Sequence, residues 1–480
     1  MQISKTDFIQ FLNCPNSLWL LKHKPDLYPH GEFSDFSKKI AAEGYEVEEY
    51  VKNRFDVQTD ADSYDYQKVF QTDRGLYAKA DVVRDNGDGT INLYEVKSST
   101  RVKTDALHNQ IKDATFQKIT AVEAGVSVKK VFVIHLNGNY VRSGNVDTQQ
   151  LLTFTDITSQ VGEIEEEVRF EIDRAIETLA PSEIDESSCT CLGLTKSNHC
   201  DTFSYFNPNI PKPSIYNLPR ISKAKIQGFA NDGRFELDDI GVDEVTAKQA
   251  PVLRSAQQKA PVIDTTIMAD FFAKATYPIY FLDYETYASA IPVIDDARPQ
   301  APIPFQYSLH VKPMPNDTEL LHFEYLAVSA QMPKEMIEHM QNHIGSEGSI
   351  VSWHASFENT QNRTMATQYP DKADFLNDLI SRTLDLEDLF KAGYVDIAFE
   401  GSTSIKKVLP VLASDLNYAG MNVASGTDAM EAWKRLIALP DGKDKDQLRE
   451  AMLKYCKLDT YAMVRIFEEM VRKFEGPKKR

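Results

Sequence analysis

A run of apolar and aromatic residues, "YPIYFLDYETY" at 277–287, contains two carboxylates, Asp283 and Glu285. On a β-strand, the side chains of residues i and i+2 point to the same face, so both acids would enter the same space. Burying one unpaired carboxylate is costly, and two neighbouring carboxylates also repel each other. The stretch therefore predicts either a surface strand with a solvent-exposed acidic face or a buried site in which a divalent cation balances both charges.

The last predicted helix contains "YCKLD", in which Tyr455 and Asp459 lie four residues apart and hence on one helical face. Taken alone, an exposed aspartate and a half-buried tyrosine also explain this pair. Together with Asp283 and Glu285, however, the pair resembles the DEDD exonuclease superfamily, in the subgroup whose last motif is Tyr-x-x-x-Asp. The resemblance implies a ribonuclease H-like fold in which the three acids bind two Mg²⁺ or Mn²⁺ ions and Tyr455 orients the attacking water.

The second motif of that superfamily usually supplies a further aspartate after a strand. The corresponding stretch here is "WHASFEN", which has Glu358 at that place, and Asp385 in "TLDLEDLF" is the other candidate. A surface acid is the alternative interpretation of both. We expect His354, in the same stretch, to be a structural histidine, and Cys456, beside Tyr455, to be a core residue.

A second group of candidate residues lies in the N-terminal half. The stretches "AKADVV" and "LYEVKSS" predict two strands of a hairpin whose turn is centred on Asp88. Antiparallel partners share a constant sum of residue numbers, so Asp81 would lie opposite Glu95. Lys97 shares the face of Glu95 because it follows two residues later. A cross-strand ion pair with one spare acid is a common alternative.

An Asp followed by Glu-x-Lys on adjacent strands resembles the PD-(D/E)XK nucleases, which have a restriction-endonuclease-like α/β fold. The resemblance implies that Asp81 and Glu95 bind Mg²⁺, and that Lys97 positions or helps to deprotonate the water and stabilises negative charge on the phosphate. Gln117 matches the glutamine that many RecB-like members carry on the next helix, although alanine stands where a tyrosine usually follows. A further acid is expected from one of two neighbours on the preceding helix, Glu48 or Glu49.

The cysteines are unevenly spaced, with Cys14 alone near the start and Cys189, Cys191 and Cys200 close together. Structural disulfides are rare in cytoplasmic chains. One cysteine before a nuclease core and three after it resembles the RecB-like nucleases of the CRISPR-associated and AddB types, which implies a [4Fe-4S] cluster on these four residues. Such a cluster would cross-link the first helix to the far end of the domain. A four-cysteine Zn²⁺ site is the alternative.

The length of 480 residues predicts two to four domains. The pattern of helices and strands indicates an α/β domain at 1–205, a linker and helical connector at 206–275, and a second α/β domain at 276–480. No signal peptide or membrane span is recognisable, so we expect a cytoplasmic protein. The net charge of −18 argues against tight nonspecific DNA binding, although a local basic cleft would still permit contact with nucleic acid.

The order of these motifs resembles a bacterial family of unknown function, in which a RecB-like nuclease domain precedes a DEDD exonuclease-like domain. The leading hypothesis is a metal-dependent nuclease with two active sites, acting on DNA in preference to RNA in repair or defence. A helicase or a defence-system partner would fit this hypothesis. One alternative is a nucleic-acid-binding or partner-binding scaffold in which one or both sites are degenerate. The other is an RNA-processing exonuclease whose cysteines bind a structural zinc ion.

Overall fold

The computed structural model describes residues 1–30, 35–58, 61–105, 109–317, 319–418 and 420–476. The chain divides into two units, the first formed by Met1–Ile210 and Ser289–Ala301 and the second by Pro211–Ala288 and Pro302–Arg480. Each unit combines a β-sheet with helices, so the predicted α/β class is confirmed. The segment expected to be a linker and connector groups with the second unit from residue 211 onward.

The first unit contains a six-stranded sheet. Its strands are β1 (Ile3–Ser4), β2 (Tyr64–Gln71), β3 (Leu76–Asp85), β4 (Thr90–Val96), β5 (Ser127–Leu136) and β6 (Leu152–Asp156). Its helices are α1 (Lys5–Asn13), α2 (Pro15–His23), α3 (Asp35–Asp56), α4 (Gln110–Glu123), α5 (Thr148–Leu151), α6 (Thr158–Leu179) and α7 (Phe203–Phe206). The strand order is β1-β3-β4-β5-β6, and β2 also pairs with β3. Strands β4 and β5 are parallel, whereas the β3–β4 and β5–β6 pairs are antiparallel.

The hairpin predicted around Asp88 is formed by β3 and β4. Val82 pairs with Tyr94, which is the register that centres the turn on Asp88. Continued by one residue, this register brings Asp81 opposite Glu95. Tyr94 packs in the core cluster that includes residues of α3, so its neighbour Glu95 faces the opposite side of the sheet, toward α4.

The second unit contains the remaining strands and helices. Its strands are β7 (Val262–Ile263), β8 (Ile279–Tyr287), β9 (Ile303–Lys312), β10 (Leu321–Leu326), β11 (Ser349–Ser352), β12 (Thr383–Asp385) and β13 (Tyr394–Val395). Its helices are α8 (Lys223–Asn231), α9 (Ala250–Gln258), α10 (Thr265–Lys274), α11 (Lys334–Gln341), α12 (Ser356–Gln368), α13 (Ala373–Arg382), α14 (Ile405–Leu412), α15 (Gly426–Ala438) and α16 (Lys443–Glu475). The main sheet has the order β10-β9-β8-β11-β12, in which β10, β9 and β8 are antiparallel and β8, β11 and β12 are parallel.

Strand β8 lies at the centre of this sheet and is covered on both faces. Phe281 packs in the core cluster that includes α16, whereas Leu282 packs in the cluster that includes α11, α12 and α13. Asp283 and Glu285 share the face of Phe281 and are therefore directed toward α16. The interpretation of β8 as a surface strand with a solvent-exposed acidic face is wrong, because helices cover both sides.

Helix α16, with 33 residues, is the longest helix of the described chain. Tyr455 and Cys456 are buried on the side that packs against the sheet. Charged residues recur along its length, which is typical of a surface helix with one apolar stripe. Within the ranges that the structure describes, no helix is both long enough and apolar enough to cross a bilayer.

Trp433 on α15 packs beside the end of β8 and should contribute strongly to stability. Its ring centroid lies 5.0 Å from those of Tyr287 and Phe305, and its indole N–H donates to the carbonyl of Ala327 at 2.8 Å. We expect Trp433→Ala to lower the free energy of unfolding by about 3–5 kcal/mol, because it leaves a cavity in the core. Urea unfolding followed by circular dichroism measures the loss. Phe170→Ala, at a side chain 64% exposed, is the control, and equal losses in the two variants would contradict the prediction.

Candidate functional site

Acids from separate elements approach one another beside β8. Asp283 and Glu285 lie on β8, Glu358 in the first turn of α12, and Asp459 on α16. The thiol of Cys456 donates to Asp283 Oδ2 at 3.9 Å, and ligand atoms of Asp283, Glu285 and Cys456 all lie within 4.8 Å of one another. The charges of Asp459, Glu285 and Glu358 all act on Asp283. The structure therefore brings the predicted C-terminal acids together.

Burial disfavours ionisation of all four acids, and repulsion from the other members of the group adds to this effect at Asp283 and Glu285. Burial, followed by the charges of Asp459 and Glu285, raises the pKa of Asp283 well above its ordinary value. Burial and Asp459 raise the pKa of Glu285 in the same direction. Burial raises the pKa of Glu358 to about 8 and that of Asp459 to about 6, although a hydrogen bond from Tyr418 lowers the latter. Full ionisation of the group near neutral pH therefore requires added positive charge.

The choice between Glu358 and Asp385 as the fourth acid depends on their hydrogen bonds. Glu358 is only 4% exposed, and its Oε2 accepts no hydrogen bond from the described residues. Asp385 Oδ1, by contrast, accepts the backbone N–H groups of His354 at 3.0 Å and Glu387 at 3.1 Å. Asp385 therefore already holds a loop in place, whereas Glu358 has a buried oxygen without a donor. The His354 side chain is 64% exposed and contacts Glu387 at 3.0 Å, so it does not contribute to the core.

Two tyrosines act on Asp459. Tyr455 is buried on α16 one turn before Asp459, and its hydroxyl lowers the pKa of that acid. Tyr418 donates to Asp459 Oδ1 at 2.7 Å, and its ring centroid lies 6.3 Å from that of Tyr455. The Lys406 ammonium lies over the Tyr418 ring at 5.4 Å and also lowers the pKa of Asp459. Sequence reasoning missed Tyr418 and Lys406, because neither belongs to a motif with a recognisable spacing.

In the first unit, Glu95 is the centre of the N-terminal group. It is 3% exposed, and its Oε1 accepts Lys97 Nζ at 2.6 Å and Lys5 Nζ at 2.7 Å. Its Oε2 accepts the amide of Gln117 from α4. Asp81 Oδ2 accepts a backbone N–H of β4 at 2.7 Å. The four residues predicted for this site are thus close together.

Two further members of this group were not predicted from the sequence. Lys5 is the first residue of α1, and Asp113 lies one turn before Gln117 on α4. Asp113 Oδ2 accepts Lys97 Nζ at 2.8 Å, and its Oδ1 lies 3.6 Å from Lys5 Nζ. The four-residue spacing of Asp113 and Gln117 was the one signal that could have identified the aspartate. A single cross-strand ion pair does not account for this larger group.

The two candidates on α3 differ in their surroundings. Glu48 Oε2 accepts the amide of Gln67 at 2.9 Å, and burial together with the charge of Glu95 raises its pKa. Glu49 is exposed to solvent. Of the two, Glu48 is therefore the acid that interacts electrostatically with the site around Glu95.

The electrostatic balance of the N-terminal group differs from that of the C-terminal one. Burial opposes ionisation of Glu95, but the ammonium groups of Lys5 and Lys97 outweigh it and hold its pKa below the usual range. Burial and the charge of Glu95 raise the pKa of Asp81 to about 8. One ionised carboxylate beside one that resists ionisation is a common arrangement in catalytic sites.

The four predicted cysteines form one group in space. The sulfurs of Cys14, Cys189, Cys191 and Cys200 all lie within 4.8 Å of one another, and those of Cys189 and Cys200 are 4.0 Å apart. A tetrahedral zinc site with Zn–S bonds of about 2.3 Å separates its sulfurs by about 3.8 Å. Thiolates that bind the separate irons of a four-iron cluster lie farther apart. The spacing therefore fits a single ion more closely than an iron-sulfur cluster.

Polar groups next to the sulfurs can stabilise thiolates. The hydroxyl of Thr190 donates to Cys14 Sγ at 3.6 Å, and the amide of Asn207 donates to Cys189 Sγ at 3.3 Å. Hydrogen bonds of this kind orient and tune metal-binding thiolates. The core cluster around them also contains Trp19.

Residues 280–404 match a domain of unknown function, DUF2779. The expected resemblance to a family of unknown function is therefore confirmed for this segment. The DUF2779 segment includes Asp283, Glu285, Glu358 and Asp385 and ends before the tyrosines and Asp459.

Two curated relatives match a longer part of the chain. An uncharacterized protein of Mycoplasma genitalium, MG366, is 27% identical in an alignment of 217 residues that covers 41% of this chain and 32% of the relative. Its homolog in Mycoplasma pneumoniae is 28% identical in an alignment of 211 residues that covers 39% of this chain and 31% of the relative. The matched segments thus span about a third of the length of each relative.

The raised pKa of Glu358 predicts a pH dependence of stability. Its pKa of about 8 in the folded protein exceeds its ordinary value of 4.5, so between these pH values the folded state binds more protons than the unfolded state. The free energy of unfolding should therefore fall as the pH rises through this range. In EDTA, we expect Glu358→Gln to reduce this fall and to raise Tm at pH 8 by about 2–4 °C.

Differential scanning calorimetry between pH 5 and 8 measures this effect. Glu338→Gln on α11, at a side chain 50% exposed, is the matched control and should leave the pH dependence as in the wild type. Parallel curves for wild type and Glu358→Gln would contradict the prediction.

The group of four cysteines predicts that the protein binds a metal and that loss of any one thiol weakens this binding. We expect Cys200→Ser to lose most of the zinc or iron that the purified wild-type protein carries, because it removes one of four ligands. Elemental analysis measures the metal content, and a brown colour distinguishes an iron-sulfur cluster from zinc. Cys456→Ser, at a buried cysteine of the second unit, is the control and should keep the metal. Unchanged metal content in Cys200→Ser would contradict the assignment.

Proposed function

We propose that this protein is a metal-dependent nuclease that hydrolyses phosphodiester bonds of nucleic acid, with one site in each unit. The observation that carries the proposal is the gathering of Asp283, Glu285, Glu358 and Asp459 beside β8, where Glu285 and Glu358 are buried and the other two acids are partly buried. Loss of solvent raises the pKa of all four, and neighbouring acids raise those of Asp283 and Glu285 further. Groups of buried carboxylates with raised pKa values are typical of sites that bind cations.

In the C-terminal site, these four acids would hold Mg²⁺ or Mn²⁺, whose hard character suits carboxylate oxygens. Two such ions, when bound, activate a water and stabilise the leaving oxygen of a phosphodiester. The hydroxyl of Tyr455 orients the attacking water, and Tyr418 fixes Oδ1 of Asp459 by its hydrogen bond. Three antiparallel strands followed by two parallel ones match the strand order of a ribonuclease H-like fold, which supports this assignment.

In the N-terminal site, Asp81 and Glu95 would hold Mg²⁺ or Mn²⁺. Lys97 donates toward the water or the phosphate and remains anchored by Asp113. Gln117 fixes the second oxygen of Glu95. The antiparallel hairpin followed by α4 and the parallel strand β5 supports a PD-(D/E)XK assignment for this unit.

DNA is the substrate that we propose, in repair or in defence against foreign DNA, on the basis of the resemblance to RecB-like and DEDD nucleases. The group of cysteines would hold a structural metal that cross-links the start and the end of the first unit. The resemblance implies a [4Fe-4S] cluster, whereas the sulfur spacing supports Zn²⁺.

A second candidate function is a nucleic-acid-binding or partner-binding scaffold in which the N-terminal site is degenerate. The charges around Glu95 favour it, because Lys5 and Lys97 already pair with Glu95 and Asp113. Carboxylates whose negative charge is already neutralised by neighbouring lysines gain less stability from a bound cation than carboxylates without such partners.

Release of nucleotides from end-labelled single-stranded and double-stranded DNA, with Mg²⁺ or Mn²⁺, tests the proposal. We expect Lys97→Ala and Asp283→Ala each to lose a different set of products, and the double variant to lose cleavage by roughly 10³-fold or more. Lys22→Ala is the matched control, because Lys22 has nearly the same exposure as Lys97 (24% and 22%) but pairs with Asp7.

The outcomes distinguish the candidate functions. Wild-type protein that releases nothing from DNA or RNA with either metal would contradict the nuclease and leave the scaffold. Release from RNA alone would indicate the RNA-processing exonuclease.

A further inference from the structure

Two lysines bind the same oxygen of Glu95. Lys5 Nζ lies 2.7 Å and Lys97 Nζ 2.6 Å from Oε1, while Gln117 occupies Oε2. A cation held by Asp81 and Glu95 needs an oxygen of this carboxylate. Because Oε1 already accepts two ammonium groups, at least one of them has to move when a cation binds.

The contacts of the two lysines indicate which one moves. Lys97 donates to Asp113 Oδ2 at 2.8 Å as well as to Glu95, so it is held at two points. Among the acids that the structure describes, Lys5 has only Glu95 at hydrogen-bond distance, since Asp113 Oδ1 lies 3.6 Å from its ammonium. Lys5 is therefore the less firmly held of the pair.

The structure also contains an acceptor to which Lys5 can move. Asp113 is 7% exposed, and its Oδ1 accepts no hydrogen bond from the part of the chain that is described. A buried carboxylate oxygen without a donor is unfavourable, so a hydrogen bond formed there would be stabilising. A shift of less than 1 Å would bring the flexible Lys5 side chain within hydrogen-bond range of this oxygen.

We propose that Lys5 is a displaceable ammonium group that binds phosphate. It pairs with Glu95 until a divalent cation takes that carboxylate, then shifts toward Asp113 and contacts a phosphate oxygen of the bound nucleic acid. Repulsion between the cation and the ammonium group drives the shift, and the phosphate supplies the negative charge that the ammonium loses at Glu95. This inference rests on the proposed nuclease function of the N-terminal site.

The test uses the full chain with Asp283→Ala, Glu285→Ala and Asp459→Ala, which remove three of the four acids of the C-terminal site, so that Mn²⁺ binding reports the N-terminal site. Calorimetric titration of Mn²⁺ is compared for this background and for Lys5→Gln. We expect Lys5→Gln to bind Mn²⁺ roughly fivefold more tightly, because the competing charge is gone. At saturating Mn²⁺, its cleavage of double-stranded DNA should fall roughly tenfold or more, because a phosphate contact is lost.

Three more variants complete the comparison. Lys5→Arg keeps the charge and should bind Mn²⁺ like the background protein. Lys5→Met keeps the aliphatic stem and should behave like Lys5→Gln, which guards against a folding defect in either one. Lys22→Gln is the matched control, because the Lys22 side chain is 24% exposed against 26% for Lys5 and also lies 2.7 Å from its acid partner, Asp7.

Mn²⁺ binding and DNA cleavage together distinguish a wrong role for Lys5 from an N-terminal site that is not a nuclease. Mn²⁺ affinity that is unchanged or weaker in Lys5→Gln and Lys5→Met, with cleavage intact in the background protein, would overturn the role of Lys5 and leave the nuclease. A background protein that neither binds Mn²⁺ nor cleaves DNA would overturn the N-terminal nuclease site and this inference with it.

Discussion

The repulsion among buried carboxylates beside β8 is the constraint on which the second unit depends. Such a group persists only if its neighbours hold it in place, because each acid alone would be more stable in water. The hydroxyl of Thr460, next to Asp459, contacts Ser308 Oγ at 2.7 Å and His310 Nδ1 at 2.8 Å. These contacts tie α16 to β9 and fix the position of Asp459 relative to the acids of β8.

The two units handle buried acids in opposite ways. In the first unit, ammonium groups surround Glu95 and keep it ionised. In the second unit, burial and the charges of Asp459 and Glu285 hold Asp283 toward its protonated form. A divalent cation at the first site would have to displace an ammonium group from Glu95, whereas a cation at the second site would neutralise carboxylates that repel one another. The same ion would therefore compete with lysines in the first unit and with protons in the second.

Local periodicity explains which parts of the two sites could be predicted from the sequence. The two-residue spacing of Asp283 and Glu285 placed both on one face of β8, and the turn at Asp88 set the register that brings Asp81 opposite Glu95. Both predictions use only neighbours along a strand or across a tight turn.

Contacts between distant segments could not be predicted in this way. Lys5 reaches Glu95 across 90 residues, and Tyr418 reaches Asp459 from an irregular segment. The choice between Glu358 and Asp385 also required the structure, because their hydrogen bonds distinguish the two acids and cannot be read from the sequence. The same limit applies to residues 289–301, which the sequence assigns to the domain at 276–480 but which group with the first unit.

Ala290 and Ile291, within this segment, complete a core cluster with Val82 and Tyr140. During synthesis on the ribosome, the first unit therefore reaches its final packing only after residue 301 has been added.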